Sequence, residues 1–157
     1  MHVAAIRPPT LTFDDFYRQR WTATVRLAHV LTGSAPLAED LAQEAFAALA
    51  GRFVEVEHPH AYLRTTVVNL ARSQHRRRVL HDQLVQLVER PVAGELGASE
   101  LLDAVDALPY REKAVLVLRY YEDLPETEIA AALGMRPATV RTVAARALRR
   151  LRREIQR

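Results

Sequence analysis

LPETEIAAALGMRPATVRTVAARALRRLRREIQR, from Leu124 to Arg157, is the stretch whose reading decides the fold. Pro125 suits a first helical position, and Glu126 and Glu128 favour the positive end of a helix dipole. Ile129, Ala130 and Leu133 form an apolar face, and Gly134 sits where a left-handed C-terminal cap is required. Two residues later Pro137 opens a second helix that runs nearly to the last residue. A short helix, a glycine turn and a longer helix make a helix-turn-helix, the motif whose second helix enters the DNA major groove.

Angular placement divides the second helix into two faces. At about 100° per residue from Arg141, Ala147, Val140, Leu151, Ala144, Ile155 and Leu148 fall between roughly 240° and 340°. Arg152, Ala145, Arg149, Thr142, Arg153, Arg146, Thr139 and Arg150 occupy roughly 20° to 180°. The first stripe packs inward and the second presents Arg and Thr. A basic amphipathic helix also suits a membrane surface, but such helices carry bulky anchors where this one has Ala, Val and Leu. With the preceding short helix and turn, the arginine face points to DNA.

Charge along the chain supports that reading. The net charge is only +3, yet from Arg136 onward eight Arg stand against the single acid Glu154. From His81 to Met135 four bases stand against eleven acids. A basic tip behind an acidic body suits a protein that presents one face to a polyanion. A length of 157 residues makes one domain or two small ones. No apolar run spans a bilayer and no signal pattern opens the chain, so a cytoplasmic protein without membrane insertion is expected. The absence of Cys excludes disulfides and thiolate metal sites. His58 and His60 lie close together without a ligand set around them, so no metal and no cofactor is expected.

Upstream, residues 1–9 read as a loose leader. Phe13 to Leu31 follows helical spacing through Phe13, Phe16, Tyr17, Trp21, Leu27, Ala28 and Leu31. Thr32-Gly33-Ser34 breaks it, and Pro36 restarts a helix through Leu37, Leu41, Ala45, Phe46 and Leu49 to near Gly51. Pro59 opens a third helix, HAYLRTTVVNLARSQHRRR, with Leu63, Val67, Leu70 and Ala71 inward and Arg64, Asn69, Arg72, Arg76, Arg77 and Arg78 on its polar side. The basic run closing it is partly accounted for by the dipole, and Tyr62 offers a ring on which an unstacked base can rest. Pro, Gly and small residues around 90–99 mark a linker, part helical, over 81–98. Leu101, Leu102, Val105 and Leu108 form the next helix, with Ser99 as its N-cap, and Pro109 starts another through Val115, Leu116, Leu118 and Tyr121. No strand alternation and no repeat occurs. The expectation is an all-α protein of two small helical domains joined by a linker: 11–80, a linker 81–98, and 99–157.

Catalytic motifs are absent. The five Gly form no phosphate loop, and neither a nucleophile elbow nor an H-E-x-x-H pair is present. The carboxylates are expected on solvent faces, away from the basic or apolar surroundings that mark acid–base work. The chain reads as non-enzymatic.

Three strings in order resemble the extracytoplasmic-function sigma factors of bacterial RNA polymerase. AEDLAQEAF, Ala38 to Phe46, looks like the region 2 segment that docks on the β′ clamp helices. HAYLRTTVVNLARSQHRRR looks like the helix that melts and reads the −10 element. ALPYREKAVLVLRYYEDLPETEIAAALGMRPATVRTVAARALRRLR looks like region 4, the reader of the −35 element. The resemblance implies a polymerase contact at Asp40, Leu41, Gln43, Glu44 and Phe46. It implies −10 contacts at Tyr62, Arg64, Asn69, Arg72, Arg76, Arg77 and Arg78, with Asn69 matching the Asn associated with an extruded base. Its −35 contacts are Thr139, Arg141, Thr142, Arg146 and Arg149. Tyr62 stands where the family commonly has Trp. Val143 and Ala145 stand where it has Arg and His, which removes basic contacts from the reading face. The implied partners are core polymerase, through the β′ clamp helices and the β flap, promoter DNA, and an anti-sigma factor. No extra C-terminal domain is expected after the recognition helix. The competing reading is a free-standing helix-turn-helix regulator with an N-terminal sensing or dimerisation domain; AEDLAQEAF and the Asn69 helix favour the sigma factor.

Overall fold

The computed structural model describes residues 11–85 and 100–157, apart from the side chains of 82–85. Every regular element among the described residues is a helix, and there is no strand among them. Helix α1, Phe13–Thr32, starts at Thr12, whose hydroxyl accepts the Asp15 N–H at 3.2 Å and donates to the Asp15 carboxylate at 2.8 Å. It stops at Gly33, where φ is 70°. Ser34 caps α2, Ala35–Ala50, whose buried Ala38, Leu41, Ala42, Ala45, Phe46 and Leu49 recur at helical spacing. Helix α3, Pro59–Val85, is about 40 Å long at 1.5 Å per residue. It therefore continues well past Arg78, and the Arg76 to Arg78 run is an interior segment. A dipole acts only on the last turn, so it does not account for that run.

In the first module α1, α2 and α3 pack as a three-helix unit. Phe16, Phe46 and the half-buried Phe13, Trp21 and Phe53 form its aromatic centre, with Phe16 and Phe53 rings 5.5 Å apart. Tyr17, expected inward, lies at the rim, its ring 4.7 Å from that of Phe46.

The second module starts with α4, Glu100–Asp106. Its Leu101 and Leu102, expected to be apolar anchors, are half exposed, and only Ala104 and the following Leu108 are buried. Ser99, the expected cap, lies outside the described residues, as do residues 1–10 and most of the expected linker. Helix α5, Tyr110–Leu116, runs directly into a wider π-helical turn, Val117–Tyr121, closed by the Glu122 N–H on the Val117 carbonyl five residues back. Asp123 then takes φ 54°, a left-handed position uncommon for a residue with a side chain, and the Leu124 N–H returns to the Leu118 carbonyl. Tyr121, counted among the apolar residues of this helix, lies at the end of that wider turn and is exposed beside Tyr120.

The helix-turn-helix is α6, Glu126–Leu133, and α7, Pro137–Ile155. Pro125 is the residue before α6 instead of its first turn, and Pro137 occupies the first turn of α7. Gly134 has φ 64°, and nothing lies within 4 Å of a Cβ built on it. Glycine is required there by the backbone angle and not by space. On α7 the buried residues are Val140, Val143, Ala144 and Ala147. Ile155, expected inward, is 47% exposed as the last residue of α7, and Leu148 and Leu151 half-cover a small cluster of Leu108, Leu116 and Ala147.

The two modules share one buried cluster. Leu63, Val67, Val68 and Ala71 of α3 belong to the same contiguous core as Tyr110, Ala114, Val115 and Leu118. The Tyr110 hydroxyl donates to the Val68 carbonyl at 2.6 Å, and burial raises its pKa far above the usual phenol value. The His75 ring lies 5.5 Å from the Tyr110 ring, and burial, then Lys113 and Arg78, hold its pKa below the ordinary value. Asp106, paired at 2.7 Å with the buried Lys113, reaches to within 3.1 Å of where a Gly33 Cβ would stand. Replacing Tyr110 with Phe deletes one buried hydrogen bond while keeping the ring. Tyr110→Phe is expected to destabilise the chain by about 1 kcal/mol, lowering Tm by roughly 2–4 °C in a thermal melt. An unchanged Tm means the bond across the modules contributes nothing.

Candidate nucleic-acid interface

The expected polymerase patch on α2 divides by burial. Asp40, Gln43 and Glu44 are exposed, whereas Leu41 and Phe46 are core residues. Leu41 and Phe46 therefore hold α2 in place and offer nothing to a partner. The outward acids follow from the same 3.6-residue period that turns Leu41, Ala45 and Phe46 inward.

The expected −10 residues on α3 do not share one face. Taking Tyr62 as zero, Asn69 lies at about 340°, Arg76 at about 320°, Arg72 at about 280° and Arg77 at about 60°. Arg64 and Arg78 lie at roughly 200° and 160° by the same rule, across the helix. Arg64 is turned to the second module, 3.7 Å from the Glu122 carboxylate and 3.8 Å from that of Glu128. Asn69, Arg76 and Arg77 are exposed, with Ser73, which the sequence reading passed over, exposed among them. Tyr62 is half-buried under the Arg52 guanidinium, 5.8 Å from the ring centroid. His60, near Arg20 and Arg64, has its pKa lowered first by burial and then by those two charges.

On α7 the outer face is ordered with help from acids elsewhere. Arg141 donates from Nε and Nη2 to Glu126 at the start of α6, with Nη2 at 3.0 Å from Oε2. The hydrogen bond from Arg141 holds the Glu126 carboxyl below its usual range and raises the Arg141 pKa in return. Arg119 places a second guanidinium 3.8 Å from the other Glu126 oxygen. Thr142 donates its hydroxyl to the Ala138 carbonyl one turn back, leaving its oxygen outward. Arg149 is exposed, and Arg146, Arg149, Arg150, Arg153 and Arg157 line one shallow cleft beside Leu108.

Glu112 corrects the expectation that carboxylates lie on solvent faces. Its side chain is 5% exposed, between Arg146 Nε at 3.1 Å and Arg150 Nε at 3.2 Å. Those arginines are about half exposed, so each sets its Nε beside Glu112 as an ion-pair partner while its outer end remains in solvent, and the Glu112 Oε2 accepts no hydrogen bond. Val143 corrects a second expectation. It is 2% exposed, so its departure from the family residue belongs to the core, and only Ala145 removes a side chain from the outer face. Glu112 was detectable in principle, because a lone acid in an otherwise apolar helix face must find a cation; its partners, 34 and 38 positions on, were not.

Sequence comparison agrees with this architecture. The family model described as Sigma-70 region 2 matches residues 16–80, and that described as Sigma-70, region 4 matches residues 98–151. The chain is 37% identical over 153 residues to the RNA polymerase sigma-E factor of Streptomyces coelicolor, covering 92% of this chain and 86% of that one. It is 30% identical over 146 residues to the RNA polymerase sigma factor SigV of Bacillus subtilis, covering 88% and 83%. The fold is similar to that of the sigma factor RpoE of Bartonella quintana, solved in complex with the anti-sigma factor NepR, with a TM-score of 0.73 at 23% identity over 91% of this chain and 98% of that one. The helix-turn-helix and the module ahead of it thus define a promoter-recognition subunit. The chain belongs to the extracytoplasmic-function sigma factors of RNA polymerase, and the reading as a free-standing regulator is not favoured.

Removing the Glu112 charge leaves two guanidiniums beside a buried amide. Glu112→Gln is expected to destabilise the chain by about 1–3 kcal/mol, the low side for a buried ion pair because both arginines reach solvent. Chemical denaturation checks this, and a midpoint equal to the parent's would mean the two pairs serve orientation alone.

Proposed function

We propose that the two modules divide promoter recognition as the family resemblance implies. The exposed face of α3, with Asn69, Ser73, Arg76 and Arg77, takes the opened −10 strand. Asn69 can donate and accept at a base edge, and the arginines beside it hold single-stranded backbone. The outer face of α7 takes the −35 duplex, with Arg141 and Thr142 at base edges and Arg146, Arg149 and the later arginines on phosphate. Asp40, Gln43 and Glu44 are the polymerase contact on the β′ clamp helices, and residues 99–157 meet the β flap. The boundaries 11–80, 81–98 and 99–157 follow this division of work. An anti-sigma protein is the regulatory partner, since the Bartonella quintana sigma factor of similar fold is bound to one. The chain acts in the cytoplasm and has no chemistry of its own.

The observation that carries this proposal is the sorting of cations by exposure. Arg76, Arg77, Arg141 and Arg149 face solvent on the two helices that this reading turns to promoter DNA. Run-off transcription with core polymerase, with and without the chain, is the direct test. In that assay Asn69→Ala is expected to keep polymerase binding while lowering open-complex formation and relaxing preference at one −10 base. Normal permanganate reactivity with unchanged preference would remove Asn69 from the site.

Position along α7 separates reading from holding. Arg141 lies in the second turn of the helix opened by Pro137, and Arg152 lies near its end. A bidentate Arg–guanine contact contributes about 1–3 kcal/mol of discrimination, whereas a phosphate contact serves every sequence and changes the salt slope by roughly one unit. Arg141→Ala should flatten preference within the −35 element, and Arg152→Ala should weaken all promoters alike. A promoter-variant panel transcribed at several salt concentrations distinguishes them; equal, sequence-independent losses would make Arg141 one more phosphate contact.

A further inference from the structure

Arg141 is not a free cation waiting for DNA. Its Nε lies 3.3 Å from both Glu126 oxygens and its Nη2 lies 3.0 Å from one of them. The Arg141 side chain is 70% exposed and that of Glu126 29% exposed. The acid is therefore the more enclosed partner, with Arg119 on its other oxygen. A guanidinium carries five N–H donors arranged on fixed edges. Glu126 occupies the edge formed by Nε and Nη2. The edge formed by Nη1 and the outer N–H of Nη2 is left, and that two-donor fork matches the O6 and N7 acceptors of guanine.

We infer that Glu126 is a positioning residue for promoter specificity: it grips the inner edge of Arg141 so that the outer edge reads one guanine of the −35 element. This rests on the reading of α7 as the −35 helix and deepens it. Two physical effects follow from the grip. An arginine held at two nitrogens has fewer rotamers to lose when it meets a base. A carboxylate beside it also offsets its charge, which lowers attraction to arbitrary phosphates while leaving directed hydrogen bonds available. Specificity is a ratio, and both effects raise it. An exposed ion pair adds little to stability, so the alternative, an acid serving only the N-terminus of α6, predicts no change in base preference.

The test uses the full chain with core polymerase on promoters carrying each base pair at every −35 position, with filter binding to a promoterless duplex alongside. The parent is expected to prefer guanine at one position by roughly 5- to 100-fold. Glu126→Gln should reduce that preference at least about threefold at the same position. It should also tighten binding to the promoterless duplex and steepen its salt dependence by up to about one unit. Glu126→Asp, which keeps the charge on a shorter arm, should fall between the two and covers the case in which Gln disturbs folding. In an Arg141→Ala background, Glu126→Gln should leave base preference unaltered. If Arg141→Ala changes the preference but neither Glu126 variant does, the inference is overturned alone. If Arg141→Ala itself leaves preference unchanged, the reading of Arg141 as a base contact falls, and the inference with it. An equal effect of Glu126→Gln with and without Arg141 would also overturn it, because the acid would then act through another group.

Discussion

Helix α3 has to bury two of its faces at once, and the arrangement of the molecule follows from that constraint. Leu63, Val67 and Ala71 close the core formed by α1 and α2. Val68, one residue round from Val67, is equally buried, and its carbonyl receives the Tyr110 hydroxyl from α5. With two sides covered, Asn69, Ser73, Arg76 and Arg77 form an arc left to solvent, and Arg78, also exposed, lies across the helix from it. The exposed arc on α3 is thus what packing leaves over. Arg64 and Arg78 fall outside this arc, although sequence order places them with the others.

Acids and bases in this chain meet instead of standing apart. Charge counting along the sequence separates an acidic body from a basic tip. In three dimensions Glu112 lies between Arg146 and Arg150, Glu126 between Arg119 and Arg141, and Arg64 between Glu122 and Glu128. Arg64 and Glu122 are both largely covered, but the pairs with an exposed member contribute little net stability, because solvent screens them and long side chains lose freedom. Their larger consequence is direction. A guanidinium hydrogen-bonded at its inner nitrogens, as Arg141 is by Glu126, keeps its outer donors aimed away from the protein. The basic tip is therefore less an indiscriminate positive surface than its composition suggests.

The π-helical turn at Val117–Tyr121 links these themes. It ends α5, and Asp123 in a left-handed conformation then redirects the chain into α6. Arg119 of that turn reaches Glu126, so the junction between α5 and the helix-turn-helix also supplies the second cation on the acid that holds Arg141.

Local chemistry determined most of the secondary structure by itself. Ser34, Gly33, Gly134, Pro36 and Pro137 mark helix ends through capping, positive φ and fixed φ, effects that act within a few residues and can be read in order. The 3.6-residue period likewise assigned Leu63, Val67, Val140, Ala144 and Ala147 to the interior, and the motif order was sufficient to indicate the family. What the tertiary structure decided depends on contacts between distant residues. Val143 is covered and Leu101 and Leu102 are half exposed, because burial depends on which helix arrives opposite and periodicity carries no record of that. Tyr121 lies outward at the end of one widened turn, which shifts the phase of the helical period. Glu112 and Glu126 acquired their roles because folding brought them against arginines 34, 38 and 15 positions further along. A carboxylate's charge is written in the sequence, but the direction in which it turns its partner exists only once two helices have crossed.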